Sequence, residues 1–206
     1  MSSAAAGGST PWPTSWAGID LPQELAGNVP DKAWMDRRWG ERGWTQGSLL
    51  NHAIGQGEYL ATPLQMADYA AMLARGGTLI APRLVEAVEE DNGTMVVFPP
   101  DTTGTWAVQP ETMARIREAM HQVVLRGTGG VCRIPEFMPA GKTGTAENPH
   151  GKPHSWFMGF APFDNPEVAF SVVVEAGGHG SDVAAPIAKR LLLEILARRT
   201  AGKGTS

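Results

Sequence analysis

The sequence holds a single cysteine, Cys132, among 206 residues. An internal disulfide is therefore excluded, and so is a cysteine-rich metal site. The lone thiol reads as a small buried hydrophobe. Charge is also scarce. Asp, Glu, Lys and Arg make up 18% of the chain, and the formal net charge is -4. Without a basic excess to neutralise phosphates, nucleic acid is excluded as a partner. No apolar run approaches the length of a transmembrane segment. Residues 1–10 have neither a basic start nor an apolar core, so no secretory signal is legible. A chain expressed as given is expected in the cytoplasm.

Glycine and proline are abundant, at 25 and 16 residues, and 42% of the chain is apolar. That composition suits a turn-rich globular body, one domain or a large part of one. Residues 1–17 are small, rich in Ser and Gly, and interrupted by Pro11 and Pro13. They read as a flexible N-terminal arm. Residues 18–197 form the body, and 198–206 a flexible tail. Asp20 reads as a turn or capping residue. Trp34, Trp39 and Trp44 recur every five residues, which matches neither a helix face nor a strand face. They read as aromatics pinning an irregular segment, with an aromatic groove as the alternative. Residues 49–57 end in a flexible polar loop.

Thr62-Pro63 supplies a capping hydroxyl and a first-turn proline, which predicts a helix over about 63–75 that Gly76-Gly77 stops. Residues 84–89 and 94–98 flank Asp91-Asn92-Gly93 and predict a hairpin. Pro110 opens a second helix to about 125, with Met113, Ile116, Met120, Val123 and Val124 on one stripe. His121 within it reads as structural. Residues 154–162 and 168–175 are strand-like and joined by a short connection, so they predict an antiparallel pair. A last helix is predicted over 183–197, with Ile187, Leu191, Leu192 and Ile195 buried. The element order implies an α+β fold, an antiparallel sheet packed by helices, with the stretch at 141–147 as its innermost strand.

The chemistry concentrates in Gly141-Lys142-Thr143-Gly144-Thr145-Ala146-Glu147. A phosphate loop needs a glycine five residues before the Gly-Lys pair, but that position is Glu136. It must also feed a helix, and turn-forming residues 147–153 follow instead. An extended strand fits better. Its glycines let a ligand lie against the backbone. Lys142 offers a cation, Thr143 and Thr145 offer hydroxyls, and the backbone N–H groups can hold an oxyanion. A polar turn is the third reading. Glu147 reads as solvated. His154 and His179 lack a nearby carboxylate cluster and make a poor metal site, and no cofactor is called for.

Taken in order, five segments resemble the C-terminal part of the class B penicillin-binding proteins, the peptidoglycan D,D-transpeptidases, in the elongation-type PBP2 subgroup. They are Gly18-Ile19-Asp20-Leu21, the Gly55-Gln56-Gly57 to Thr62-Pro63-Leu64-Gln65-Met66-Ala67 block, Gly141 to Glu147, His154 to Pro162, and Gly177 to Ser181 running on to Ala188. The trio KTG alone is weak evidence. The Gly-Gln-Gly and Thr-Pro-Leu-Gln block placed before it makes the combination specific.

The resemblance implies a partial penicillin-binding protein or serine beta-lactamase-like fold. It implies that Lys142, Thr143, Gly144 and Thr145 form one wall of the site. Lys142 would steer the substrate's terminal carboxylate, Thr143 and Thr145 would hydrogen-bond it, and the Thr145 N–H would be an oxyanion donor. A peptidoglycan stem peptide or a beta-lactam is the implied ligand, and cell-wall elongation proteins are implied partners. The family works outside the cytoplasm and is membrane-anchored.

The family's nucleophile lies in Ser-x-x-Lys, and its opposite wall in Ser-x-Asn. Neither motif occurs here: Ser48, for example, is followed by Leu49-Leu50-Asn51, and Ser155 by Trp156-Phe157-Met158. In the family both lie upstream of the segment matching Gly18, so the chain is expected to start too late to contain them. A fragment, a split gene supplying the missing transpeptidase half, and a mis-called start all fit. Two expectations follow: no independent acyl transfer, and an apolar sheet face left uncovered. A non-catalytic module that binds stem peptides or scaffolds cell-wall synthases is the alternative. A serine beta-lactamase fits less well, because it too needs Ser-x-x-Lys.

Overall fold

The structure, a computed structural model, describes residues 17–203, with side chains to Arg199. The N-terminal arm, Ala17 excepted, and the last three residues lie outside the described ones. Ala17 itself is buried, and its N–H donates to the Glu24 carboxylate.

The centre of the body is a three-stranded antiparallel sheet of β5 (Ala140–Ala146), β6 (His154–Ala161) and β7 (Val168–Val174), in the order β5-β6-β7. The pairing of β6 with β7 agrees with the hairpin read from the sequence. The KTG strand is not innermost: β6 is, and β5 pairs with β6 alone among the described residues. Two short connections in succession lay consecutive strands side by side, so the middle strand of the chain becomes the middle of the sheet.

Alternation along β6 divides its side chains between two faces. Phe157 and Ala161 point to α5 (Ala184–Lys203), where they meet Ala184, Ala185, Ala188 and Leu192. Phe160 and Met158 point the other way, against Met72, Leu73 and Ala74 of α3 (Pro63–Ala74) and Met113 and Met120 of α4 (Pro110–Arg126). The sheet is therefore covered on both faces, contrary to the bare face expected. All three helices that do this come from within the chain. Phe137, Phe157 and Phe160 are completely buried, and each such ring contributes about 1.5–3 kcal/mol through the area it removes from water.

The buried face of α5 differs from the one predicted. Of the predicted stripe Leu192 is fully buried, but Leu191 is 52% exposed and Ile187 is exposed too, and Ala184, Ala185 and Ala188 take the contact with the sheet beside Leu192. Small side chains at every fourth position let the helix lie close to the strands. The helix also continues to Lys203, past the boundary at 197. No described helix is long and apolar enough to cross a membrane.

Elsewhere the local signals act as read. Thr62 and Gln65 form a reciprocal capping box: the Gln65 N–H donates to Thr62 Oγ1 at 3.2 Å, and the Thr62 N–H donates to Gln65 Oε1 at 2.8 Å. Gly76 and Gly77, both at positive φ, end α3. β2 (Ala87–Glu89) and β3 (Met95–Val97) form the hairpin, with Gly93 at φ +82 in its turn. A second pair not anticipated, β1 (Thr78–Ile80) with β4 (Thr102–Thr105), brackets it. Asp20 is a long-range tie rather than a local cap. It accepts the Leu84 and Val85 N–H groups at 2.8 and 3.2 Å, chiefly the first of which holds its carboxyl below the usual range. His121 packs on Phe163 with ring centroids 4.2 Å apart.

The region of the tryptophans is helical rather than irregular. α1 (Lys32–Trp39) is capped by Asp31, which accepts the Trp34 N–H at 2.6 Å. α2 (Gln46–Ala53) follows. Trp44 Nε1 donates to Asp36 at 2.9 Å and ties the intervening turn to α1. Met35, Trp39 and Trp44 line a recess of about 280 Å³ with Asn51 and His52. No residue of α2 is buried, and Leu50 is 68% exposed.

Two measurements check this packing. A Cβ on Gly159 would stand 2.2 Å from the Ala140 carbonyl oxygen and 2.9 Å from Gly141 Cα, both backbone. Gly159→Ala is expected to lower stability by about 1–3 kcal/mol in urea titration, and an unchanged midpoint would contradict the tight β5–β6 approach. Cys132 is completely buried, and desolvation pushes its thiol up to about 11. Its reaction with a disulfide reagent at pH 8 is expected to be at least about 100-fold slower in the native chain than in urea, because little thiolate forms.

Candidate active site

β5 carries Lys142, Thr143, Gly144 and Thr145 along its length. The register sets Lys142 opposite Met158, Thr143 opposite Phe157, Gly144 opposite Trp156 and Thr145 opposite Ser155. Cross-strand partners share a face. Thr143 and Thr145 therefore lie on the α5 side, and Lys142 on the α3 side.

The hydrogen bonds fix which backbone groups face outward. The Thr145 carbonyl accepts from Gln56 Nε2 at 2.9 Å, and the Thr143 carbonyl accepts from Lys142 Nζ at 2.6 Å. Neither partner is on β6. In an antiparallel strand the N–H and C=O of one residue point to the same side. The N–H groups of Thr143 and Thr145 thus also point to the unpaired edge, while Lys142, Gly144 and Ala146 bond to β6. That edge offers two backbone donors about 7 Å apart along the strand, two hydroxyls and one ammonium. Lys142 is exposed, and Thr143, Gly144 and Thr145 are half-buried. The four residues come together as one continuous wall.

Three further groups hold this wall, and sequence reasoning missed their roles. The first is Thr128, in the loop after α4, whose hydroxyl shares a hydrogen bond of 2.6 Å with the Thr143 hydroxyl. The second is Gly180. A Cβ there would stand 2.3 Å from the Trp156 carbonyl oxygen and 2.6 Å from that of Gly144. The loop of residues 177–183 thus rests directly on the β5–β6 ladder. It is tied there by Ser155 Oγ, which donates to the His179 carbonyl at 2.9 Å and accepts the Ala184 N–H at 3.0 Å. The third is Gln56, whose Oε1 also accepts the Glu147 N–H at 3.2 Å. A signal for Gln56 was present in its two flanking glycines. Gly55 and Gly57 both adopt positive φ, +71 and +78, so the loop curls and extends the amide toward β5.

His154 and His179 take structural contacts. His154 Nδ1 accepts the Ala176 N–H at 3.1 Å, and His179 presents its carbonyl to Ser155. Among the described residues, no three His, Cys, Asp or Glu side chains gather as a metal site. The Glu147 side chain is exposed.

Comparison with known proteins places this arrangement. The family model described as the penicillin binding protein transpeptidase domain matches residues 15–193. The Peptidoglycan D,D-transpeptidase MrdA of Acinetobacter baumannii is 36% identical over 182 residues, which cover 81% of this chain and 27% of that protein. The Peptidoglycan D,D-transpeptidase PbpA of Mycobacterium tuberculosis is 31% identical, covering 89% of this chain and 36% of that one. Among solved structures, Pseudomonas aeruginosa PBP2 in complex with WCK 5153 matches with a TM-score of 0.70 and 34% identity, over 88% of this chain and 39% of that one. Helicobacter pylori PBP2 in complex with MreC matches with a TM-score of 0.71 and 31% identity, over 88% and 33%. The chain therefore spans between about a quarter and two-fifths of the length of these relatives. With the family model covering most of its residues, the chain belongs to the penicillin-binding protein transpeptidase family, in its PBP2-like class B branch.

Proposed function

We propose that this chain supplies the KTG wall of a peptidoglycan D,D-transpeptidase, the surface that binds the D-alanyl-D-alanine end of a stem peptide. The observation that carries this reading is the unpaired edge of β5, where the Thr143 and Thr145 N–H groups, their hydroxyls and Lys142 converge. Lys142 supplies the charge that draws in the terminal carboxylate, and the Thr143 and Thr145 hydroxyls hydrogen-bond it. The Thr145 N–H donates to the carbonyl oxygen as it becomes an oxyanion. One such donor contributes about 3 kcal/mol to an acyl-transfer transition state.

The chemistry has a second half. In the complete reaction a serine oxygen attacks the carbonyl of the D-Ala-D-Ala bond and expels the terminal D-alanine. The amine of a second stem peptide then attacks the resulting ester and releases the serine. Ser-x-x-Lys and Ser-x-Asn are absent from this sequence, so the wall binds and polarises but has no nucleophile of its own. Acyl transfer requires residues beyond this chain. The likeness to Helicobacter pylori PBP2, solved in complex with MreC, supports a place among the proteins of cell-wall elongation, where the work lies outside the cytoplasm. The missing motifs also support a second reading, a non-catalytic module that holds stem peptides.

Incubation with a fluorescent penicillin followed by denaturing electrophoresis is expected to leave this chain unlabelled. A stable adduct would overturn the assignment of the nucleophile to another segment. Labelling that appears once sequence encoding Ser-x-x-Lys is supplied supports the enzyme. Continued silence, with reversible binding of a peptide ending in D-alanyl-D-alanine, supports the module.

A further inference from the structure

The Gly-Gln-Gly loop has a role that its distance in sequence from β5 conceals. Gln56 meets the end of that strand 89 residues away. Its side-chain amide makes two bonds that flank Ala146: Nε2 donates to the Thr145 carbonyl at 2.9 Å, and Oε1 accepts the Glu147 N–H at 3.2 Å. A residue of a parallel neighbouring strand would make the same pair of bonds, to the carbonyl before and the N–H after its opposite number. The amide therefore stands in for a missing strand at the one point where β5 leaves the sheet. Beyond it the chain turns, with Asn148 and Lys152 closing the loop before β6 begins.

We infer that Gln56 is a positioning residue, which pins the outgoing end of β5 so that the Thr145 N–H is held in a fixed direction at the unpaired edge. The role rests on the reading of that N–H as an oxyanion donor. The geometry is specific. The bonded carbonyl belongs to the same residue as the donor, so rotating one peptide plane away from Gln56 would turn the strand at Thr145. The loop is itself braced: the Gln56 N–H donates to the Asn51 carbonyl at 2.9 Å, at the end of α2. The clamp also satisfies one carbonyl and one N–H that β6 cannot reach. It leaves the Thr145 N–H free to serve a ligand. Transition-state stabilisation is sensitive to misplacement on the scale of an ångström, so a clamp one peptide away from the donor has leverage.

Two substitutions test this. Gln56→Met keeps the length and removes both bonds, while Gln56→Glu keeps an acceptor for Glu147 and removes the donor to Thr145. Gln56 is half-buried in a surface loop, and the β6–β7 amides serve as an internal control for folding. By hydrogen exchange followed by NMR, the Glu147 amide is expected to exchange about tenfold faster in Gln56→Met, with β6–β7 protection unchanged. Gln56→Glu is expected to restore Glu147 protection. In titration with a peptide ending in D-alanyl-D-alanine, the Thr145 amide of the unaltered chain is expected to shift, with affinity about tenfold weaker in Gln56→Met. Unaltered Glu147 exchange in Gln56→Met overturns the clamp, as does failure of Gln56→Glu to restore protection. Faster exchange with an undiminished Thr145 response overturns the positioning role and leaves only a structural tie. No Thr145 shift in the unaltered chain refutes the oxyanion reading instead, and the exchange data then decide the clamp alone.

Discussion

Everything at the candidate site depends on the seven-residue ladder between β5 and β6. Its register decides which side of the strand each KTG residue occupies, and which backbone groups remain for a ligand. Strand side chains have a period of two, so a slip of one residue would move Lys142 to the α5 face and turn the Thr145 N–H inward. Three tight approaches oppose such a slip. Gly159 admits the Ala140 carbonyl, Gly180 rests on the Gly144 and Trp156 backbone, and Gly144 lies against Trp156 Cβ, where an added Cβ would stand 3.1 Å away. Each is a place where a side chain would force strands or loop apart. The glycines of GKTGTAE thus serve sheet geometry as much as ligand access.

That ladder is in turn held from both faces. α5 brings a stripe of alanines close against Phe157, and α3 and α4 close over Phe160 with methionines and Leu73. The chain encloses its sheet with its own helices, which leaves the apolar surface elsewhere. Leu49, Leu50 and Ile54 on and after α2 are exposed, as are Leu191 and Leu193 on α5. The dense core therefore lies beneath the KTG strand, whereas the segment that carries Gln56 is the more lightly packed. The two are joined by the side-chain bonds of one glutamine rather than by a shared core.

Several features were legible because their causes are local. Thr62-Pro63 with Gln65 encodes a helix start through a capping box, Asn92-Gly93 encodes a turn, and β6 and β7 are strand-like runs separated by too few residues for any other pairing. That Lys142, Thr143, Gly144 and Thr145 share one strand was also legible, since they are consecutive in an extended stretch. What misled was periodicity read without a partner. Ile187, Leu191, Leu192 and Ile195 look like the buried stripe of α5, but of these only Leu192 is fully buried, and it shares the contact with Ala184, Ala185 and Ala188. The tryptophans at intervals of five fit no single face because α1 holds Trp34 and Trp39 while Trp44 lies in the connection before α2.

By itself, the sequence determined the helices α3, α4 and α5, the β2–β3 and β6–β7 hairpins and the presence of residues 142–145 on one strand, because each is written in neighbouring residues. Only the tertiary structure decided which edge of β5 remains unpaired, that both sheet faces are covered, and that Thr128, Gly180 and Gln56 converge on the wall. Those depend on contacts between residues far apart in the chain, as between Gln56 and Thr145. Such contacts form only once the helices and the sheet have packed, and no local propensity encodes them.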